Sequence, residues 1–125
     1  MGGVGAQTSA LLHLEGNAPG ESTRNTGVAL PDKATDNPKI TRIKDITFPT
    51  MEVIAPATGD NGAAVVILPG GGFNYVVPDL EGAEAAAFLN EQGITAFVLN
   101  YRTKSAKAKG PAWNRPLQDS QRAIR

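Results

Sequence analysis

Three consecutive glycines close an apolar run in Ala63-Ala64-Val65-Val66-Ile67-Leu68-Pro69-Gly70-Gly71-Gly72-Phe73. Glycine has no Cβ, so such a loop turns tightly and brings bare backbone N–H groups close to another molecule. Donors presented this way suit an anion or a small polar ligand. From the glycines alone, a plain strand-to-helix turn without a ligand stands equally open. A dinucleotide loop fits poorly. Tyr75 stands where the last glycine of Gly-x-Gly-x-x-Gly is needed, and the next apolar run ends in Asn100 rather than an acid. No Gly-Lys-Ser/Thr phosphate loop occurs. The chain has no cysteine, hence no thiolate, disulfide or cysteine zinc site. Its single histidine, His13, gives no metal site by itself. No serine lies in a Gly-x-Ser-x-Gly elbow.

The elements that would position this loop follow from hydropathy. Ala63–Leu68 is short, β-branched and apolar on both alternating faces. It reads as a strand buried on both sides, the habit of a central strand in a parallel sheet. Asp79–Gln92 reads as a helix with Asp79 as N-cap, Glu81 and Glu84 near its positive end, and Gly93 as the left-handed residue past its end. Its apolar stripe would be Leu80, Ala83, Ala87, Phe88 and Leu89. Ile94–Leu99 reads as the next strand. Strand, helix and strand make a βαβ unit, expected to be parallel and right-handed. Ligands in such sheets sit past the carboxyl ends of the strands, where Gly70–Phe73 falls.

Upstream, an antiparallel pair is expected from Lys39–Phe48 and Met51–Ala55, separated by Pro49. Residues 1–38 are poor in large apolar side chains and read as an extended or partly disordered arm. Downstream, Tyr101–Arg115 is a polar loop with Lys104, Lys107, Lys109 and Trp113. Lysines of that kind form a solvated face, and a lone tryptophan more often closes a core than lines a site. A helix then starts at Pro116, with Arg115 forced out of helical dihedrals and Leu117, Gln121 and Ile124 on one face.

The chain has 125 residues, enough for one small domain. Twelve basic residues balance twelve acidic ones without a long block of either sign. That speaks against nucleic acid or an anionic membrane as partner. No apolar run is long enough for a transmembrane helix, and Met1–Gly5 lacks the features of a signal peptide.

The order strand, Pro69-Gly70-Gly71-Gly72-Phe73, helix, strand ending in Asn100-Tyr101-Arg102, then Pro116-Leu117-Gln118-Asp119 resembles the N-terminal half of an α/β-hydrolase. It is most similar to esterases and lipases of the acetyl-xylan-esterase-like kind. The resemblance runs from about Leu14 to Arg125. It implies that Gly71 and Gly72 donate backbone N–H groups to an oxyanion, that Phe73 borders the acyl pocket, and that Arg102 pairs with Asp119 as a structural contact. It also implies that residues 39–125 are half of a domain cut before the nucleophile elbow. The Ala63–Leu68 strand would then lose the neighbour that covers it. Many relatives carry His where this chain has Pro69. Nucleophile, acid and His of the triad are none in this chain.

The expected fold is therefore α/β: an antiparallel pair, then β-α-β, then the start of a helix. The expected function is a fragment of a serine carboxylesterase-type hydrolase. In full length it would act on acetyl or other short acyl esters of carbohydrates, with no cofactor and no metal. The alternatives are a non-catalytic ligand-binding module at Gly70–Gly72 and a mononucleotide-binding α/β domain. Hydroxyl attack on an ester needs a positioned base. The isolated chain should thus turn over short-chain nitrophenyl esters at background rate and take no serine-directed fluorophosphonate. Covalent labelling of the isolated chain with turnover would refute this.

Overall fold

Apolar runs rich in Val, Ile and Leu set the strands. In the computed structural model, which describes residues 8–13, 16–36, 39–105 and 109–125, the strands are β1 (Thr8–His13), β2 (Val28–Ala29), β3 (Ile43–Lys44), β4 (Thr50–Ala55), β5 (Ala64–Ile67) and β6 (Thr95–Asn100). A π-helical turn over Asp79–Ala83 leads into helix α1 (Glu84–Glu91), and α2 spans Asn114–Ile124. The main sheet runs β1-β4-β6-β5, and β2 pairs with β3 separately. Pairing is antiparallel for β1–β4 and β4–β6 and parallel for β5–β6. The chain is α/β with a mixed sheet.

Alternation along β6 divides the core. Ala96 and Val98 join Ile54 and Ala86 on one face; Leu99 and Tyr101 join Ile46, Met51 and Val76 on the other. Register carries the division across the sheet, with Met51 opposite Leu99, Ile54 opposite Ala96, and Ile67 opposite Val98. Val98 and Leu99 are fully buried, and each such side chain contributes roughly 1.5–3 kcal/mol.

The helix ends where Gly93 ends it. Gly93 (φ 79) donates to the Asn90 carbonyl at 3.0 Å, and Ile94 donates to Leu89 at 3.0 Å, the two bonds of a Schellman cap. Its start differs from expectation. Asp79 is not the cap residue; Pro78 is, and Asp79 instead accepts the N–H groups of Thr41 and Leu80, each at 2.8 Å. The buried face is also different, except that Leu89 packs against the Ile54–Val98 cluster as expected. Gly82, Ala86 and Asn90 face the sheet, while Phe88 is 63% exposed and Leu80 40%. Close approach explains the choice: a Cβ on Gly82 would lie 2.7 Å from Cγ1 of Val98, so only the small residues fit underneath. Asn90 donates to the carbonyls of Ile54 at 3.0 Å and Ile94 at 2.8 Å, tying the helix end to β4 and to the residue that precedes β6.

Three other expectations are corrected. The strand over Lys39–Phe48 shrinks to β3, because Asp45 adopts φ 57 and breaks it. It does not pair with β4, since a two-residue hairpin turn needs positive φ that Pro49 cannot adopt. Ile46 instead exchanges bonds with Thr103 beyond β6. β1 was not expected as a strand; its exposed Leu11 and Leu12 give no alternating pattern. α2 begins at Asn114, with Arg115 helical; Pro116 sits in the first turn, whose N–H groups lack intrahelical partners anyway. Its inward residues are Pro116 and Asp119, while Leu117 and Ile124 are exposed.

β5 lies at the sheet edge rather than in its centre, and Val65 and Leu68 are 39% and 51% exposed. Among the described residues no strand pairs with its outer side.

The Gly82 contact yields a prediction. Alanine there gains about 1 kcal/mol of helix propensity, but overpacking against a stiff, buried valine costs about 1–3 kcal/mol. Gly82→Ala should therefore lower the stability of the chain in urea unfolding, and a stabilised variant would show that Val98 yields freely.

Candidate functional site

Beyond β5 the chain passes through Leu68 and buried Pro69 into the glycines. Three successive residues then take positive φ: Gly71 at 148, Gly72 at 62 and Phe73 at 66. Glycine enters these regions freely. Phe73 does not, and its conformation costs about 1–3 kcal/mol. Neighbours hold it there. Its carbonyl accepts the Lys104 N–H at 2.6 Å, and its ring meets Tyr101 edge-on, with centroids 6.3 Å apart at 66°. Asn74 N–H closes the turn onto the Gly71 carbonyl at 3.2 Å. A Cβ on Gly71 would lie 1.9 Å from the Tyr75 carbonyl oxygen, so this position admits only glycine.

The loop borders an open cavity of about 270 Å³, lined by Leu68 to Phe73, Tyr101 and Pro116. Among the described residues, no acceptor meets the N–H groups of Gly71, Gly72 or Phe73. The Tyr101 hydroxyl donates to the Pro69 carbonyl. Burial first, and then the negative charge of Glu81, push the Tyr101 phenol above its ordinary value.

Arg102 and Asp119 meet, with no exposed surface on either side chain. Arg102 Nε donates to both carboxylate oxygens, at 3.0 and 3.1 Å, and its backbone N–H donates to Oδ2 at 2.8 Å. The other guanidinium nitrogens reach the Pro19 carbonyl at 2.7 Å and Gln118 Oε1 at 2.8 Å. Glu21 lies 3.5 Å from Arg102 Nη1 and also accepts from Arg115. The pair thereby joins the end of β6, helix α2 and the 19–21 segment. Tyr101 and Pro116, which line the cavity, lie in two of the segments it joins.

The structure thus brings Gly71, Gly72 and Phe73 to one cavity, and Arg102 to Asp119. Tyr101 as a wall of that cavity was missed. The signal was present, because Phe97, Leu99 and Tyr101 continue one face of β6 past its last residue. Trp113 does not close a core; it is 53% exposed. Lys104 and Lys109 are exposed, while Lys107 and the His13 side chain lie outside the described residues. Among the described residues no group of three His, Cys, Asp or Glu could hold a metal, and no helix is long and apolar enough to cross a membrane.

No protein-family model matches the chain, and no solved structure does. A stretch of 42 residues is 48% identical to an acetylxylan esterase of Xylanibacter ruminicola, covering 34% of this chain and 9% of that protein. The similarity is to an esterase and is partial.

Two outcomes follow for the buried groups. Removing one partner of a buried ion pair costs about 3–5 kcal/mol, whereas replacing both by apolar residues of similar volume is often nearly neutral. Asp119→Ala should accordingly destabilise strongly in urea unfolding, and Arg102→Met with Asp119→Leu should recover most of the loss. The Tyr101 phenol, held above its usual value, contributes stability that is complete below about pH 10 and lost as pH rises through its folded value. Tyr101→Phe should flatten that alkaline limb when stability is followed against pH.

Proposed function

We propose that the complete protein is a serine carboxylesterase-type hydrolase of α/β-hydrolase fold, and that this chain carries its oxyanion-stabilising loop. One observation supports this most: unpartnered amides on a strained glycine loop, past the carboxyl end of a parallel strand, beside a cavity. In acyl transfer a serine oxygen attacks the ester carbonyl, whose oxygen becomes negative. Preorganised N–H donors of Gly71 and Gly72 stabilise that oxygen. The alkoxide then leaves, and water releases the acyl group from the serine. Nucleophile, base and acid would come from outside these residues.

The proposed substrates are acetyl or other short acyl esters of carbohydrates. The name of the partial relative supports this, as does a cavity of about 270 Å³ walled by Phe73 and Tyr101. A non-catalytic ligand-binding module is the second reading, favoured by the same unpartnered loop amides, which could hold an anionic group without any reaction. A mononucleotide is disfavoured, because Tyr75 stands where the last glycine of a dinucleotide loop is needed and no Gly-Lys-Ser/Thr occurs.

The test uses the protein made from the complete reading frame, assayed on nitrophenyl acetate and acetylated xylan. Gly71→Pro is a poor probe, because φ 148 is closed to proline. Gly71→Ala displaces the loop through its contact with Tyr75. It should lower kcat about 100-fold with a small change in KM, since one oxyanion donor is worth about that much. Gly72→Ala makes only an ordinary contact, Asn74 Nδ2 being 3.7 Å away, so although φ 62 strains the alanine by about 1–2 kcal/mol it should cost less than Gly71→Ala. Absence of ester turnover in the complete protein would leave the binding-module reading. Wild-type kcat in folded Gly71→Ala would remove Gly71 from the oxyanion role.

A further inference from the structure

We propose that Tyr101 is the positioning residue of the glycine loop: its hydroxyl on the Pro69 carbonyl and its ring on Phe73 hold both ends of Gly70–Gly72, and so set the direction of the Gly71 and Gly72 amides. The inference rests on the oxyanion reading above. Tyr101 is the residue that touches the loop at two places. Its hydroxyl donates to Pro69, just before the first glycine. Its ring packs edge-on against Phe73, just after the last, at 6.3 Å. The neighbouring Lys104 N–H holds the Phe73 carbonyl at 2.6 Å, so the 101–104 segment grips the loop's far end twice.

This grip has work to do. Phe73 sits at φ 66, from which an unrestrained residue would relax. The Tyr101 ring cannot move to follow it. It is 4% exposed in the cluster with Ile46, Met51, Val76 and Leu99, and the adjoining Arg102 is fixed to Asp119. The loop is therefore referenced to the end of β6 through one side chain. Tyr101 need not touch the reacting atoms to affect them, because displacing a donor by about 1 Å can cost about 100-fold in rate. It also forms part of the cavity wall.

The experiment compares Tyr101→Phe, Phe73→Leu, the double variant and Gly71→Ala in the complete protein, measuring kcat and KM on nitrophenyl acetate and near-UV circular dichroism. Tyr101→Phe keeps the ring and removes only the hydroxyl. It should lower kcat about ten- to 100-fold while KM stays nearly constant, the pattern of an interaction that matters in the transition state. Phe73→Leu should lower kcat as well. The double variant should lose less than the product of the two, since both act on one loop. If Gly71→Ala loses kcat but folded Tyr101→Phe does not, the positioning role is overturned and the oxyanion reading stands. If neither loses kcat, the oxyanion reading itself falls. Should Tyr101→Phe lose its near-UV spectrum, Phe73→Leu decides from the loop side: a loss confined to kcat supports the proposal, and wild-type kcat overturns it.

Discussion

The guanidinium of Arg102 sits wholly out of water against the carboxylate of Asp119. Burying two charges costs several kcal/mol per ion unless both are paired and hydrogen-bonded. Here the cost is offset by a converging set of partners: both Asp119 oxygens, the Pro19 carbonyl and the Gln118 amide oxygen, with Glu21 nearby. The geometry is demanding, because those partners come from two separate parts of the chain, residues 19–21 and helix α2, and meet at a third, the end of β6. Satisfying Arg102 therefore fixes where α2 lies relative to the end of β6, and where the 19–21 segment crosses them. An apolar contact would tolerate sliding; a fully buried guanidinium does not.

That fixed frame is what the glycine loop leans on. Tyr101 is the residue before Arg102, and Pro116 lies one turn before Asp119. Both line the same cavity as the glycines. The loop itself is strained at Phe73 and admits no side chain at Gly71. A loop of this kind keeps its shape only if surrounding contacts hold it. Hydroxyl, ring and backbone contacts from residues 101–104 do so. The order of dependence runs from ion pair to strand end, from strand end to Tyr101, and from Tyr101 to the amides of the loop.

The sequence read well where the signal was local. Val65–Ile67 and Phe97–Leu99 have no competing pattern, and Gly93 marks a helix end by its own backbone freedom. β3 and β4 are neighbours in sequence but not in the sheet, because Pro49 forbids the turn that would pair them. The helix stripe was misjudged because large apolar side chains were favoured over small ones. A helix pressed onto Val98 buries Gly82 and Ala86 and leaves Phe88 outside. The pairing of Arg102 with Asp119 was legible only through resemblance, since no local pattern links residues on a strand end and a later helix. The part of Tyr101 in the site depends on a hydroxyl reaching back to Pro69, which no spacing rule reveals.

The most direct test of the account is the crystal structure of the complete protein after reaction with a fluorophosphonate. The phosphonyl group on the serine is a stable mimic of the tetrahedral intermediate. Its phosphoryl oxygen should lie within about 2.7–3.1 Å of the Gly71 and Gly72 amide nitrogens, with Tyr101 still bonded to Pro69. A phosphoryl oxygen held by other donors, away from this loop, would contradict the account, as would a complete protein that forms no adduct.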